Sequence, residues 1–330
     1  MTTYYDPDID LNPILSKRIA IVGFGAQGRS HAQNLFDADL DVVVALREDS
    51  SSIADVVSLG LEVDTLANAI ASADIVMMLS PDGTHPKIYR EFIDAHLKPH
   101  AMLMFAHGYN IHYQTFVPRE DLDVVMVAPL GIGEQVRRMF LDGAGVPALL
   151  AIQQNASGQA KELALAYAAA NGHGRAGVIE TTFKEETETD LFAEQVVLCG
   201  GINHLIETAF DTLVEAGYQP ELAYFSCLHE LKLIIDLIYQ RGIHGMRKSI
   251  SEIAEYGDYT RGPRVINLES RKQMQAILEE IQKGEFAQEF AHEVANGKPT
   301  LVTGRAKAAD HLMTSIGKNL RSQMTWLEGE

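Results

Sequence analysis

Short apolar segments alternate with helical patterns through the first half of the chain, and this alternation constrains the fold more than any other feature. Segments with the length and composition of strands lie at 18–22, 41–46, 74–79, 101–105, 123–127 and 148–152. Helical patterns separate them at 30–37, 52–59, 87–96 and 158–170. This arrangement predicts an α/β fold with a doubly wound parallel sheet of the Rossmann type. A last strand at 176–180 completes the predicted sheet.

The pattern changes after residue 182, where long helical segments replace the alternation. They lie at 188–216, 220–241, 245–256, 263–283, 284–296 and 305–324. The predicted helix ends are Gly217, Gly242, Gly257 and Gly297. A chain of 330 residues has room for two domains. We therefore predict a Rossmann-type domain over residues 1–182 and an all-α domain over residues 183–330.

The composition restricts the partners of the chain. A net charge of −18 argues against binding to nucleic acid or to an anionic membrane, because both would repel it. The N-terminal segment has neither the basic nor the apolar region of a secretory signal, and no apolar run approaches the length of a membrane span. The two cysteines, Cys199 and Cys227, suit a reducing compartment. We expect a soluble, cytoplasmic protein.

A glycine-rich turn directly follows the first predicted strand and precedes a helical pattern. Its residues are Gly23, Phe24, Gly25, Ala26, Gln27 and Gly28. In this context the glycines permit a tight turn and let the backbone approach a pyrophosphate at the helix N-terminus. The alternative is a tight turn without a ligand. We favour the first interpretation, which predicts a dinucleotide cofactor.

The end of the second predicted strand indicates which dinucleotide binds. An acidic residue there would accept hydrogen bonds from the ribose hydroxyls of NAD, whereas this chain has Arg47. Arginine suits the 2′-phosphate of NADP, and the hydroxyls of Ser50, Ser51 and Ser52 can donate to it. The neighbouring carboxylates at 48 and 49 would oppose a phosphate unless they face solvent. The pattern therefore favours NADP(H).

An acidic stretch lies at the boundary between the two predicted domains. Residues 180–194 contain six carboxylates and run directly into an apolar segment, with Asp190 and Glu194 four residues apart. On a helix both would project from one face toward the apolar residues, where carboxylates are costly unless a cation lies between them. Oxygen sites of this kind favour Mg2+. The alternative is a solvated helix start that the helix dipole stabilises.

Several long motifs resemble those of one known family and run nearly from end to end of the chain. They lie at 19–32, 105–112, 127–129, 143–147, 175–192, 227–234 and 254–266. With these motifs the chain resembles the short, class I ketol-acid reductoisomerases. The resemblance implies an NADP-binding Rossmann domain followed by a knotted all-α domain. It also implies that two Mg2+ ions assist an alkyl migration in a keto-acid substrate of the 2-acetolactate class. NADPH then reduces the product, as a step of branched-chain amino-acid biosynthesis.

The resemblance also implies roles for individual residues. In this family pattern His107 is catalytic, Ser251 holds substrate, and Asp190, Glu194 and Glu230 bind metal. The implied cofactor contacts beyond the glycine-rich turn are Arg47, Ser50, Ser52, Asp82, Gly83, Thr84, His85 and Gly133. Helical residues of a partner subunit complete the site in class I enzymes. The resemblance therefore implies a homodimer or a higher homo-oligomer.

Two positions depart from the family pattern. Leu130 occupies the position of the catalytic lysine, and Ser226 that of a metal-binding glutamate. Leucine can neither donate a proton nor carry charge, whereas the Ser226 hydroxyl could donate to an anionic group of a substrate. Gly83 also replaces a residue that is usually larger. The alternatives are a relative with a more acidic or polar substrate or only one half-reaction, and a non-catalytic dinucleotide-binding protein.

Overall fold

The computed structural model describes residues 1–325 and residue 327, and within them the first half of the chain forms one nine-stranded sheet. The strands are β1 (Thr3–Tyr4), β2 (Arg18–Val22), β3 (Asp41–Leu46), β4 (Glu62–Thr65), β5 (Ile75–Met78), β6 (Met102–Phe105), β7 (Asp123–Pro129), β8 (Ala148–Gln154) and β9 (Val178–Glu180). Their order in the sheet is β1-β9-β8-β7-β6-β5-β2-β3-β4. The chain turns from one side of β2 to the other between β4 and β5. A crevice therefore opens at the carboxyl ends of β2 and β5.

The predicted fold class is confirmed, with one correction to the strand directions. The strands from β2 to β7 pair in parallel, as do β8 and β9. However, β8 runs antiparallel to β7, so the prediction of a parallel sheet is wrong at this pair. Strand β1, which the sequence did not predict, runs antiparallel to β9. The Leu130 N–H donates to the Pro147 carbonyl over 2.8 Å. Because the chain between them returns to the same end of the sheet, β8 starts in the opposite direction.

Helices cover both faces of the sheet, which explains why its central strands are apolar throughout. The helices of this half are α1 (Ala26–Asp37), α2 (Ile53–Ser58), α3 (Leu66–Ser72), α4 (His85–Ile88), α5 (Asp94–His96), α6 (Tyr109–His112), α7 (Gly133–Leu141) and α8 (Ala160–Ala170). In β2, Ile19 and Ile21 belong to one buried apolar cluster, and Ala20 and Val22 belong to the other. Alternate side chains thus pack on opposite faces, as expected for a sheet that is buried on both.

The chain divides into two compact units, and the second begins at Asp190. The helices from this region onward are α9 (Phe183–Ala193), α10 (Gly200–Glu215), α11 (Pro220–Tyr224), α12 (Glu230–Arg247), α13 (Glu252–Val265), α14 (Leu268–Lys283), α15 (Glu285–Ala295), α16 (Pro299–Asp310) and α17 (Leu312–Arg321). Within the described part of the chain, every helix is too short or too polar to cross a membrane. The boundary at residue 182 and the knot stay predictions.

Several of the predicted helix limits in this half differ from the structure, and two of the differences concern the start and the length of α13. The segment 245–256 is not one helix, because the Ser251 side chain accepts a hydrogen bond from the Ala254 N–H over 3.3 Å and starts α13 afresh. From this cap, α13 runs through Gly257, although Gly257 was expected to end a helix. By contrast, Gly217 and Gly297 follow α10 and α15 with φ values of +90° and +79°, as predicted for C-terminal glycines.

Two buried histidines in the first unit make its stability depend on pH. His31 and His173 are fully buried, and burial lowers the pKa of His31 to about 3 and that of His173 to about 4. Both rings are therefore neutral in the folded protein, whereas the unfolded chain takes up a proton at each below its ordinary pKa of 6.5.

We expect the free energy of unfolding to fall as the pH decreases from 6.5 toward 4. Proton uptake by the unfolded chain lowers the free energy of unfolding by about 2 kcal/mol for each buried histidine at pH 5. Urea unfolding at pH 7 and pH 5 measures this loss, and His173→Gln should reduce it. The matched control His96→Gln, at an exposed position, should leave the loss unchanged. An equal loss in both variants would contradict the assignment to the buried rings.

Candidate active site

Four loops that contain predicted site residues follow adjacent parallel strands of the first unit. The glycine-rich turn follows β2, the loop of Asp82 follows β5, His107 follows β6, and Leu130 follows β7. The carboxyl ends of parallel strands meet at one edge of a sheet, so these loops share the edge where doubly wound folds bind ligands. The parallel pairing of β6 with β7 makes the loops of His107 and Leu130 neighbours.

The glycine-rich turn has the geometry that a dinucleotide requires. Gly23 has a φ of +101°, and a Cβ atom there would lie 2.8 Å from the Ser80 nitrogen. At Gly28 it would lie 2.3 Å from the Gly23 carbonyl oxygen, so neither position tolerates a side chain. In contrast, Gly25 is the N-cap of α1, and a Cβ atom there would meet nothing within 4 Å. This open space at a helix N-terminus fits the pyrophosphate of a dinucleotide.

The loop after β7 packs directly on this turn. The Gln27 side-chain amide donates to the Gly131 carbonyl over 2.9 Å, and the Ser30 hydroxyl donates to the carbonyl of Gly133. A Cβ atom at Gly133 would lie 2.2 Å from the Ala26 carbonyl oxygen. Gly133 therefore adjoins the turn through its backbone, beside the expected position of the pyrophosphate.

The residues expected to recognise the adenosine ribose lie beyond the end of β3. The Arg47 side chain is 74% exposed, and its Nε atom lies 3.8 Å from an oxygen of Asp49, which is 79% exposed. An ion pair this exposed is weak, so the guanidinium can turn toward another anion. Ser50 and Ser52 are half-buried, and the Ser50 hydroxyl accepts a hydrogen bond from the Ser52 N–H. These residues stand near the glycine-rich turn because β3 pairs with β2.

The loop after β5 is held by a buried imidazole. His85 is 2% exposed, and its Nε2 atom lies 2.7 Å from the Ser80 carbonyl oxygen. Burial lowers the pKa of His85, while the nearby carboxylate of Asp82 opposes that effect. The ring also contacts the side-chain amide of Asn110, a residue that the sequence analysis did not single out. Asp82 and Thr84 bound a short 3-10 turn in this loop, with Gly83 between them.

His107 is oriented by a buried carboxylate. Its Nδ1 atom lies 2.8 Å from Oε1 of Glu186, and the Gly108 N–H donates to Oε2 of the same residue over 2.8 Å. The Thr187 hydroxyl also donates to Oε2. Glu186 is only 3% exposed, so these contacts compensate for burying its charge. Glu186 lies in the acidic stretch, but its contact with His107 was not predicted, although its position one turn before Asp190 could have indicated such a role.

The predicted metal ligands of the acidic stretch lie at successive turns of the chain. Asp190 lies in α9 and is half-buried, and Glu194 begins a π-helical segment, Glu194–Leu198. A Cβ atom at Gly200 would lie 2.0 Å from the Gln195 carbonyl oxygen, so the wide turn requires glycine there. π-Helical turns are often found at functional sites. The carboxylate oxygens of this segment are donors that suit Mg2+.

The other predicted metal and substrate residues occupy a second part of the helical unit. Ser226 lies in another π-helical segment, Phe225–His229, and Glu230 begins α12 directly after it. Ser251 is the N-cap of α13. All three side chains are exposed. Both π-helical segments thus coincide with predicted ligand positions, but these three residues are far from the acidic stretch in sequence.

Comparison with protein families and solved structures agrees with this geometry. Residues 13–177 match the NADPH-binding domain of acetohydroxy acid isomeroreductase, and residues 183–326 match the ketol-acid reductoisomerase C-terminal domain. The chain belongs to the ketol-acid reductoisomerase family. It is similar to an NADH-preferring ketol-acid reductoisomerase from an uncultured archaeon, with 42% identity over 98% of this chain and 99% of that one, and a TM-score of 0.95. The resemblance noted in the sequence is confirmed, as is the enzyme class.

More distant solved structures share only the fold with the present chain. A semialdehyde dehydrogenase NAD-binding protein from Cupriavidus necator is 20% identical, with coverage of 81% and 99% and a TM-score of 0.62. A pyrroline-5-carboxylate reductase from Coxiella burnetii is 14% identical, with coverage of 81% and 98% and a TM-score of 0.56. Together with the family match, the fold supports a nicotinamide dinucleotide as cofactor.

Replacing the buried carboxylate tests whether it supports catalysis. Glu186→Gln keeps the shape of the side chain but removes the charge that orients His107. We expect kcat to fall by about 100-fold, the scale of general acid–base catalysis, while dinucleotide affinity is retained. Glu185→Gln is the matched control, since Glu185 is an exposed neighbour whose carboxylate accepts a hydrogen bond from the Thr181 hydroxyl. Similar activity in the two variants would refute the role of Glu186.

Proposed function

We propose that this ketol-acid reductoisomerase catalyses the Mg2+-dependent alkyl migration in 2-acetolactate and the reduction of the product by NADPH. The observation that carries the proposal is the contact between His107, which is half-buried, and the buried carboxylate of Glu186. It holds a proton-transfer group at the ligand-binding edge of a sheet whose glycine-rich turn suits a dinucleotide. The product would be 2,3-dihydroxy-3-methylbutanoate, an intermediate of branched-chain amino-acid biosynthesis.

We assign the metal to the acidic residues of the helical region. Asp190, Glu194 and Glu230 would hold two Mg2+ ions through carboxylate oxygens, the donor type that this cation prefers. Bound Mg2+ would supply Lewis acidity toward the hydroxyl and carbonyl oxygens of the substrate. Ser226 offers a neutral hydroxyl, so it would contact substrate or a metal-bound water rather than balance a cation. Ser251, at the start of α13, is the second proposed substrate contact.

The role of His107 follows from its contact with Glu186. Glu186 can hold a proton of the ring at Nδ1 whether the imidazole is neutral or charged. The ring therefore keeps its orientation while it gains or loses a proton at Nε2. The Gly108 N–H bond to the same carboxylate fixes the adjoining backbone, so His107 moves little between the two charge states.

A second copy of the chain is the proposed partner. Large apolar side chains are exposed along the helical unit, among them Leu198, Leu205, Leu222, Leu233, Ile235, Tyr239, Ile243, Ile253, Tyr256, Ile266 and Leu268. A surface this apolar is typical of a subunit interface. The exposed residues Ser226, Glu230 and Ser251 belong to the same unit, so a homodimer could complete the substrate site. Cys199 is exposed and free, which suits the reducing cytoplasm.

Turnover of 2-acetolactate tests the proposed function. The purified protein with 2-acetolactate, Mg2+ and NADPH should oxidise NADPH and form 2,3-dihydroxy-3-methylbutanoate, and EDTA should abolish the reaction. Asp190→Asn should lower Mg2+ affinity by at least about 10-fold, because it removes a charged ligand, while NADPH affinity remains unchanged. NADPH oxidation no faster than in the EDTA control would refute the proposed reaction.

A second candidate, a relative with another keto-acid substrate or one half-reaction, rests on the loop after β7. Leu130 is 53% exposed and Ile132 is 68% exposed, so this part of the edge is apolar where the family pattern has lysine. The double variant Leu130→Lys with Ser226→Glu restores both family residues. Turnover of 2-acetolactate by this variant but not by the parent would favour the second candidate. Equal turnover by both would exclude these positions as determinants of the substrate.

We also propose NADPH as the preferred cofactor, whereas the similar archaeal enzyme is NADH-preferring. Arg47 and the hydroxyls of Ser50 and Ser52 can donate to a 2′-phosphate, which is worth about 1–3 kcal/mol and thus about 5- to 150-fold in kcat/KM. Arg47→Gln should reduce kcat/KM for NADPH and leave that for NADH nearly unchanged. Asp49→Asn is the matched control and should not lower kcat/KM for NADPH. Equal use of both cofactors by the parent would contradict this proposal.

A further inference from the structure

A chain of hydrogen bonds joins the loop after β6 to the loop after β5, entirely within the first unit. The Thr115 hydroxyl donates to Oδ1 of Asn110 over 2.6 Å, and Nδ2 of Asn110 lies 3.0 Å from Nδ1 of His85. The opposite ring nitrogen of His85 lies 2.7 Å from the Ser80 carbonyl oxygen. Asn110 and His85 are both buried. The middle part of this chain of hydrogen bonds is therefore shielded from water.

The direction of these hydrogen bonds follows from the two groups at the ends of their chain, the Thr115 hydroxyl and the Ser80 carbonyl. Because Oδ1 of Asn110 accepts from Thr115, the NH2 group of the amide must face His85 and donate to Nδ1. The imidazole then carries its proton on Nε2 and donates it to the Ser80 carbonyl. Nδ2 of Asn110 also lies 3.2 Å from the Asp82 carbonyl oxygen and 3.3 Å from Oδ1 of Asp82. One amide therefore binds both ends of the segment from Asp82 to His85.

The two loops that this amide joins are both part of the proposed site. Asn110 lies in α6, three residues after His107. Ser80 packs against Gly23 of the glycine-rich turn, since a Cβ atom on Gly23 would lie 2.8 Å from the Ser80 nitrogen. In a doubly wound fold the end of β3 receives the adenosine half of the dinucleotide. The ends of β5 and β6, on the other side of the turn, receive the nicotinamide half.

We propose that Asn110 is a positioning residue that fixes the Asp82–His85 loop against the nicotinamide half of the cofactor and in register with His107. The inference rests on the proposed function in one respect, namely that this loop contacts the dinucleotide. Thr115 contributes by holding the Asn110 amide in the one orientation that presents donors to both loop residues. Hydride transfer depends on the placement of the nicotinamide, so a displaced loop would affect both cofactor affinity and kcat.

Near-isosteric variants test this role with little risk to folding. Asn110→Asp replaces the NH2 group by an oxygen that faces the Asp82 carboxylate and the unprotonated Nδ1 of His85. Thr115→Val removes the hydroxyl that orients the amide, whereas Thr115→Ser keeps it and should restore parent behaviour. Asn68→Asp, at an exposed position in α3, is the matched control for the same chemical change.

Calorimetric titration with NADPH and with ADP separates positioning from general damage, because ADP carries the adenosine and the pyrophosphate of the cofactor but not its nicotinamide half. For Asn110→Asp we expect the Kd of NADPH to rise by about 10-fold or more and the Kd of ADP to stay within about twofold. Thr115→Val should show a smaller rise, and kcat should fall in both variants. Neither Thr115→Ser nor Asn68→Asp should change the Kd of NADPH.

Two results would overturn the inference, and both differ from failure of the proposed function. If the Kd of NADPH and the Kd of ADP rise equally in Asn110→Asp, the residue supports the domain as a whole and does not position the loop. If NADPH affinity and kcat remain at parent values, Asn110 has no part in the site. These titrations need neither substrate nor Mg2+. Failure of the parent itself to bind NADPH would instead count against the proposed cofactor.

Discussion

The candidate site depends on one buried carboxylate. Glu186 accepts hydrogen bonds from the Gly108 N–H and the Thr187 hydroxyl and contacts Nδ1 of His107. A buried charge is costly unless such partners compensate for it, so the loop after β6 must keep the conformation that supplies them. The same helix continues into Asp190 one turn later. The interaction thus orients the imidazole of His107, the predicted catalytic residue, and anchors the start of the helix that bears the first predicted metal ligand.

The hydrogen-bond chain through Asn110 gives this edge of the sheet a second constraint. Glu186 holds the loop after β6 from one direction, and Asn110 connects the same loop to the Asp82–His85 segment. The glycine-rich turn completes the edge through its close backbone approach to Ser80. Three loops from separate strands are therefore placed by short, mostly buried contacts. Reactions that transfer both a proton and a hydride require this kind of fixed placement.

The helical unit shows a different use of backbone geometry. Two π-helical segments, Glu194–Leu198 and Phe225–His229, interrupt otherwise regular helices next to predicted ligand positions. The first needs glycine at position 200, where a Cβ atom would collide with the Gln195 carbonyl oxygen. Ser226 occupies the second segment where the family pattern has a carboxylate. This substitution thus changes a polar group, and the π-helical segment that contains it still forms.

The sequence by itself determined the fold class, the glycine-rich turn and the family, because each depends on local patterns such as periodicity, strand–turn–helix spacing and long motifs. It could not determine the antiparallel direction of β8, which depends on the contact between residues 130 and 147. The break before α13 depends on a cap at Ser251, and helical periodicity does not show it. The roles of Glu186 and Asn110 also required the tertiary structure. Their partners are 78 and 25 residues away in sequence, and only the packing of separate loops at one edge of the sheet brings them within hydrogen-bond distance.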